Sequence, residues 1–188
     1  VSALDESDKT NELRIDGMTF APLLSPERIE ARTRELADEL RRDYAGKSPV
    51  FVCVLNGSYL FFADLTRAFG EPCEVDFLKI KSYGNATTSS GVVRMIKDVD
   101  AKLEGRHVVL VEDVVDSGLS LAFLLEHFGR KKPASIRTVS LLRKPTALTY
   151  DAEIDYIGFD IPENYVVGYG LDIAQRYRNL SAIYAAKE

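Results

Sequence analysis

Three carboxylates crowd one short stretch of this 188-residue chain, Val108-Val109-Leu110-Val111-Glu112-Asp113-Val114-Val115-Asp116-Ser117-Gly118-Leu119-Ser120. Four aliphatic residues run straight into the Glu112–Asp113 pair, and Asp116 opens a Ser-Gly-x-Ser turn. The apolar run reads as a buried parallel strand, and Leu119 to Phe128 as the helix that follows it. Carboxylates at the carboxyl end of such a strand stand where open α/β sheets bind ligands. The turn from Ser117 to Ser120 offers backbone N–H groups and hydroxyls at a helix N-terminus, which suits a phosphate. Acid beside a phosphate cradle points to a sugar phosphate held with a divalent metal.

The elements that must position these groups are legible along the chain. Ser25-Pro26-Glu27-Arg28 opens a helix, with Ser25 as cap and Pro26 at its first position, and Ile29, Leu36 and Leu40 give it an apolar stripe. Val50 to Leu55 reads as a buried strand, Tyr59 to Phe69 as a helix ended by Gly70, and Cys73 to Ile80 as an alternating strand. Ser82 to Ser90 is a loop by composition, and Val92 to Ile96 a short strand returning from it. His107 to Glu112, Ile136 to Leu142, Asp155 to Phe159 and Tyr165 to Val167 read as further strands. Val1 to Asn11 is polar and expected to fray. Strands alternating with helices predict an α/β fold, a parallel sheet with helices on both faces. The late short strands and the N-terminal helix do not continue that pattern. They are expected to fold together as a cap over the carboxyl edge of the sheet.

Composition narrows the function classes. Lys and Arg number 24 against 29 Asp and Glu, a net charge of −5, which argues against broad binding to nucleic acid or to a membrane surface. No apolar run reaches the roughly 18 residues that a spanning helix needs, and no charged-then-apolar leader opens the chain. Cys53 and Cys73 suggest neither a disulfide framework nor a zinc site, so the cytosol is the expected compartment. His107 and His127 lie outside the motif turns and are assigned to structure.

Four further stretches accompany the acidic one. They are Leu55-Asn56-Gly57-Ser58, Lys81-Ser82-Tyr83-Gly84, Leu141-Leu142-Arg143-Lys144 and Tyr165-Val166-Val167-Gly168-Tyr169-Gly170-Leu171-Asp172. The central motif resembles the 5-phosphoribosyl-1-pyrophosphate (PRPP) signature of the type I phosphoribosyltransferases. Together, in that order, the stretches resemble the hypoxanthine-guanine phosphoribosyltransferases from about Ser25 to the C-terminus. The resemblance implies one phosphoribosyltransferase domain over residues 1–188, with a core at about 47–160 and a hood from about 12–30 and 161–188. It implies purine salvage, in which PRPP and hypoxanthine, and guanine as well, give IMP or GMP and pyrophosphate. It also implies a magnesium requirement and a homodimer or homotetramer.

Residue by residue, the resemblance assigns Glu112 and Asp113 to the ribose hydroxyls and to magnesium, and Asp116 to the general base near N7 of the purine. Asp116, Ser117, Gly118, Leu119 and Ser120 would wrap the 5′-phosphate. Asn56, Gly57 and Arg178 would bind pyrophosphate, the first two through backbone groups often presented by a cis peptide. Many members carry Lys where this chain has Asn56, so that positive charge is absent here. Lys144 would donate to the oxygen at C6 of the base, where adenine presents a donor instead. Tyr165 would stack on the purine, Val166 would meet its edge through the backbone, and Asp172, beside the base, would hold a second magnesium. Ser82 and Tyr83 would begin a lid that excludes water.

Plainer readings stand beside these. Glu112 and Asp113 could be solvated loop acids, Asp116 a helix cap, Lys144 a surface lysine, Tyr165 a core aromatic, the lid an ordinary hairpin, and Asp172 and Arg178 surface ion-pair members. At the level of the whole chain the rivals are a regulator that keeps the PRPP fold as a sensor, and an acidic-pair phosphatase or receiver domain. The acidic charge balance and the full set of purine-site residues speak against the sensor, and the phosphatase or receiver gives no reason for Lys144 together with the Tyr165-to-Asp172 block.

Overall fold

The computed structural model describes residues 12–85 and 88–187. The polar stretch Val1–Asn11 lies outside the described residues. In chain order the elements are β1 (Leu13–Ile15), β2 (Met18–Leu24), α1 (Pro26–Asp43), β3 (Val50–Leu55), α2 (Tyr59–Phe69), β4 (Glu74–Asn85), β5 (Thr88–Lys97), β6 (His107–Val115), α3 (Leu119–Gly129), β7 (Ser135–Arg143), β8 (Tyr156–Asp160), β9 (Val166–Val167) and β10 (Ile183–Ala186).

Six strands form the larger sheet in the order β5-β4-β3-β6-β7-β8. All neighbours pair in parallel except the edge strand β5, which returns antiparallel to β4. Strand side chains alternate between the two faces, and here the alternation sorts the core into two layers. Phe51, Cys53, Val109, Val111, Val139 and Leu141 pack against α1 and α2 through Leu36, Leu40, Phe61 and Leu65. Val50, Val52, Val54, Val108 and Leu110 pack on the other face against Leu121, Leu124 and Phe128 of α3. β3 is therefore apolar throughout, and β6 from Val108 to Val111, because both faces are covered there.

The helix boundaries have local causes. Ser25 caps α1 by accepting from Arg28 N at 3.4 Å, and Pro26 takes the first turn, where no N–H is needed. Gly70 ends α2 in the left-handed region at φ 68°.

A second, four-stranded antiparallel sheet, in the order β1-β2-β10-β9, joins the two ends of the chain. β1 and β2 turn through Asp16 and Gly17, both at positive φ (48° and 84°), the backbone of a tight hairpin. Ile15, Phe20, Val167 and Ile173 form its own small core.

Three expectations are corrected. The N-terminal helix is not part of the cap, because its stripe of Ile29, Leu36 and Leu40 is buried in the α2 layer of the core. The strand near Asp155–Phe159 is not in the cap either, because β8 extends the main sheet beside β7. Ser82 to Asn85 and Thr88 to Ser90 are not coil. Their backbone continues β4 and β5, with Ser82 opposite Val93 and Gly84 opposite Ser89. Ladder hydrogen bonds there override a Ser/Thr/Gly/Asn composition that reads as loop.

Candidate active site

Glu112 and Asp113 sit near the carboxyl end of β6, and both line one cavity. Glu112 is buried at 6 % exposure. Burial first, and the neighbouring Asp113 charge second, push its carboxyl well above the usual carboxylate range. Asp113 lies against Gly57, in the turn that precedes α2. Burial pushes it up to about 6, against the hydrogen bond it accepts from Val114 N (2.9 Å) and the charge of Arg178. Asp113 Oδ2 would lie 1.4 Å from a β-carbon at Gly57, so the carboxylate occupies the space that only glycine leaves open.

The turn after β6 carries the residues expected to form a phosphate cradle. Gly118 is the N-cap of α3 at φ 84°, a conformation that a side chain strains, and it excludes Asp116 from the capping role. A cavity of about 90 Å³ is lined by Glu112, Val114, Val115, Asp116, Ser117, Gly118, Ser120 and Leu121. Leu119 begins the helix and donates its N–H to Ser117 Oγ at 3.4 Å; it lines a separate groove with Val93 and Tyr150 rather than the cavity of about 90 Å³.

Lys144 is not a surface lysine. It is 7 % exposed, and its ammonium donates to Asp116 Oδ2 at 3.0 Å and to the Glu163 carbonyl at 3.3 Å. Asp116 itself is exposed. Ligand acceptors reaching this point would therefore meet an acid and an ammonium side by side.

The turn between β3 and α2 carries a cis peptide at Leu55–Asn56, as the resemblance implied. It adjoins a cavity of about 260 Å³ lined by Leu55, Asn56, Gly57, Ile80, Glu112, Asp113, Ser120, Asp172 and Arg178, among others. This cavity and the phosphate cradle share Glu112, Val114 and Ser120. The hood closes its far side. Gly170, at φ 100°, lies so close that a β-carbon there would be 1.9 Å from the Gly57 carbonyl oxygen. Arg178 pairs with Asp172 Oδ1 at 2.7 Å and donates to the Gly170 carbonyl at 2.7 Å. Tyr165 is 52 % exposed, not a core aromatic, and its hydroxyl donates to the Asp172 carbonyl at 2.6 Å. Val166 is buried in β9.

Among the described residues no three His, Cys, Asp or Glu side chains close around a point as a metal cage would. Glu112, Asp113 and Asp172 nonetheless line one cavity, and the Asp172 charge raises Asp113. That donor set fits a magnesium ion completed by water and by oxygens of a substrate, which is how magnesium is commonly held.

Ser82 and Tyr83, expected to begin a lid, lie on the β4 backbone, and their side chains lie outside the described residues. The histidines sit elsewhere, His107 beside Ser135 (2.8 Å) and His127 beside Asp98 (2.9 Å). Sequence reasoning missed Gly170 as a packing residue, although the Gly168-Tyr169-Gly170 pattern carried the signal. It also missed the segment from Ala147 to Tyr150, whose backbone supports the cradle and leaves no sequence mark.

Comparison with known proteins agrees with this geometry. Residues 22–174 match the family described as "Phosphoribosyl transferase domain", so the chain is of the phosphoribosyltransferase class. Proteins named hypoxanthine-guanine phosphoribosyltransferase from Mycobacterium tuberculosis and Bacillus subtilis are 47 % and 45 % identical, over 86 % and 88 % of this chain and 83 % and 92 % of theirs. A crystal structure of such an enzyme from Bacillus anthracis superposes with a TM-score of 0.83 at 41 % identity, covering 87 % of this chain and 96 % of that one. The chain belongs to the hypoxanthine-guanine phosphoribosyltransferase family.

Proposed function

We propose that the protein transfers the 5-phosphoribosyl group of PRPP to hypoxanthine, and to guanine as well, yielding IMP or GMP and pyrophosphate. The observation that carries this reading is the pair of adjoining cavities. One has the dimensions and donors of a phosphate cradle, the other is ringed by carboxylates and Arg178, and Glu112 belongs to both.

In the reaction a purine nitrogen forms a bond to C1 of the ribose as the bond to pyrophosphate breaks, and positive charge develops on the sugar ring, as in glycoside cleavage. Glu112 and Asp113, whose raised carboxyls would be drawn into their ionised form by magnesium, would hold the ribose hydroxyls and favour that charge. Magnesium, held at Glu112, Asp113 and Asp172, would neutralise the departing pyrophosphate. The Gly57 backbone and Arg178 would bind that group, the guanidinium by its fork of donors. Ser117, Gly118 and Ser120 bind the 5′-phosphate. Asp116 receives the proton that the purine releases. Lys144 donates to the C6 oxygen of the base, and a 6-amino purine in the same place would face donor with donor. Tyr165 stacks on the base and Val166 meets its edge.

We assign the reaction to the cytosol, where free thiols such as Cys53 and Cys73 persist. An assembly of two or four copies accounts for the exposed apolar side chains of Tyr59, Val75 and Phe77. Light scattering on the purified protein checks that assembly. The function is tested by mixing protein, magnesium, PRPP and hypoxanthine and following IMP by absorbance. Stoichiometric IMP and pyrophosphate are expected. Tight PRPP binding without turnover would instead fit a sensor and contradict the assignment.

A further inference from the structure

We propose that the segment from Lys144 to Tyr150 is a brace that aims the phosphate turn, with Thr149 as a positioning residue. This rests on the reading of Ser117 to Ser120 as the 5′-phosphate cradle. The Ser117 carbonyl is held from behind by Thr149 N (3.0 Å), Tyr150 N (3.1 Å) and Thr149 Oγ1 (3.4 Å). Two residues earlier, the Val115 carbonyl accepts from Lys144 N at 3.0 Å. Both ends of the turn are thus tied to one short segment. A peptide unit is planar, and in its trans form the N–H points opposite to the carbonyl. Fixing the Ser117 carbonyl on the brace therefore turns the Gly118 N–H the other way, toward the cavity that Gly118 lines.

The brace is anchored. Leu148 packs against the α3 side of the core. A β-carbon at Gly118 would lie 3.1 Å from the Tyr150 carbonyl oxygen, so the turn rests directly on the segment. The same segment begins at Lys144, which grips Asp116 from the base side. One stretch of backbone thereby sets the spacing between the group that selects the purine and the group that seats the phosphate. That spacing must match the distance between C6 of the base and the 5′-phosphate of the product.

Steady-state kinetics on Thr149 variants test this, beside thermal melts that confirm folding. Thr149→Pro removes an N–H donor to Ser117. It is expected to raise the KM for PRPP about tenfold, as loss of a backbone hydrogen bond to a pre-aimed turn would, while kcat and the KM for hypoxanthine change little. Thr149→Ala removes only the hydroxyl and is expected to raise the KM for PRPP about two- to threefold, with Thr149→Ser restoring it. Should the proline variant not fold, the Ala and Ser pair decides. An unchanged KM for PRPP in folded variants, or a fall in kcat alone, overturns the brace. Failure of the unaltered protein to bind PRPP would strike the functional reading instead.

Discussion

The ammonium of Lys144 lies 3.0 Å from Asp116 Oδ2, joining the group proposed to choose the purine to the group proposed to deprotonate it. The lysine is buried and the carboxylate exposed, so the pair is anchored from the lysine side. A base carrying an oxygen at C6 can take over one of the ammonium's donors and leave Asp116 free to accept a proton.

Substitutions at the two positions should therefore separate. Asp116→Asn is expected to lower kcat by a factor on the order of 10²–10⁴, the usual contribution of a general base, with the KM for PRPP nearly unchanged. Lys144→Ala is expected to raise the KM for hypoxanthine and to erode its preference over adenine. Initial rates on the two bases measure both effects. An undiminished preference in Lys144→Ala would contradict the role given to the ammonium.

Gly57 and Gly170 should tolerate no side chain. A β-carbon at Gly57 meets Asp113 Oδ2 at 1.4 Å, and one at Gly170 meets the Gly57 carbonyl oxygen at 1.9 Å with the residue at positive φ. Gly57→Ala is expected to displace the Asp113 carboxylate and cut kcat/KM for PRPP by about 100-fold or more, in the range where misplaced catalytic groups fall. Gly170→Ala is expected to loosen the hood and to lower the melting temperature as well. Retention of full activity in Gly57→Ala would show that the close approach is not needed.

The acidic tip should destabilise the ligand-free protein at neutral pH. Asp113 titrates at about 6 in the fold against 3.8 for an ordinary Asp. Between those values the native state holds more protons than the unfolded one, so stability falls as pH rises through that window. The loss is complete about one unit above pH 6 and is on the order of 2–3 kcal/mol for this shift. Glu112, raised by burial, acts in the same direction. Asp113→Asn is therefore expected to unfold at higher urea than the unaltered protein at pH 7.5, with the gap closing near pH 4, and to be nearly inactive. Magnesium with PRPP should raise the stability of the unaltered protein more at pH 7.5 than at pH 5. Equal urea midpoints at pH 7.5 would contradict the burial argument.

The core was legible where periodicity and length agree. β3, α2 and α3 begin and end where apolar runs and glycines say they do. The assignment of α1 to the cap failed because an apolar stripe says that a helix is buried but not against what. The hairpin of β4 and β5 was hidden because its stabilisation comes from cross-strand pairing rather than from residue type. The turn Asp16–Gly17 did carry a hairpin signal that went unread. In the candidate site, the placement of Glu112 to Ser120 across a strand end, a turn and a helix start was readable from residue types. The ion pair of Lys144 with Asp116, and the support of Ser117 by Thr149, arise from backbone paths between distant strand ends, and no spacing in the sequence encodes them.

A crystal structure with IMP and magnesium tests the central claim most directly. The account predicts the 5′-phosphate against the amides of Gly118 to Ser120, the ribose hydroxyls at Glu112 and Asp113, and the C6 oxygen of the base within hydrogen-bond reach of Lys144 Nζ. A nucleotide seated elsewhere, with its phosphate away from that turn, would contradict it.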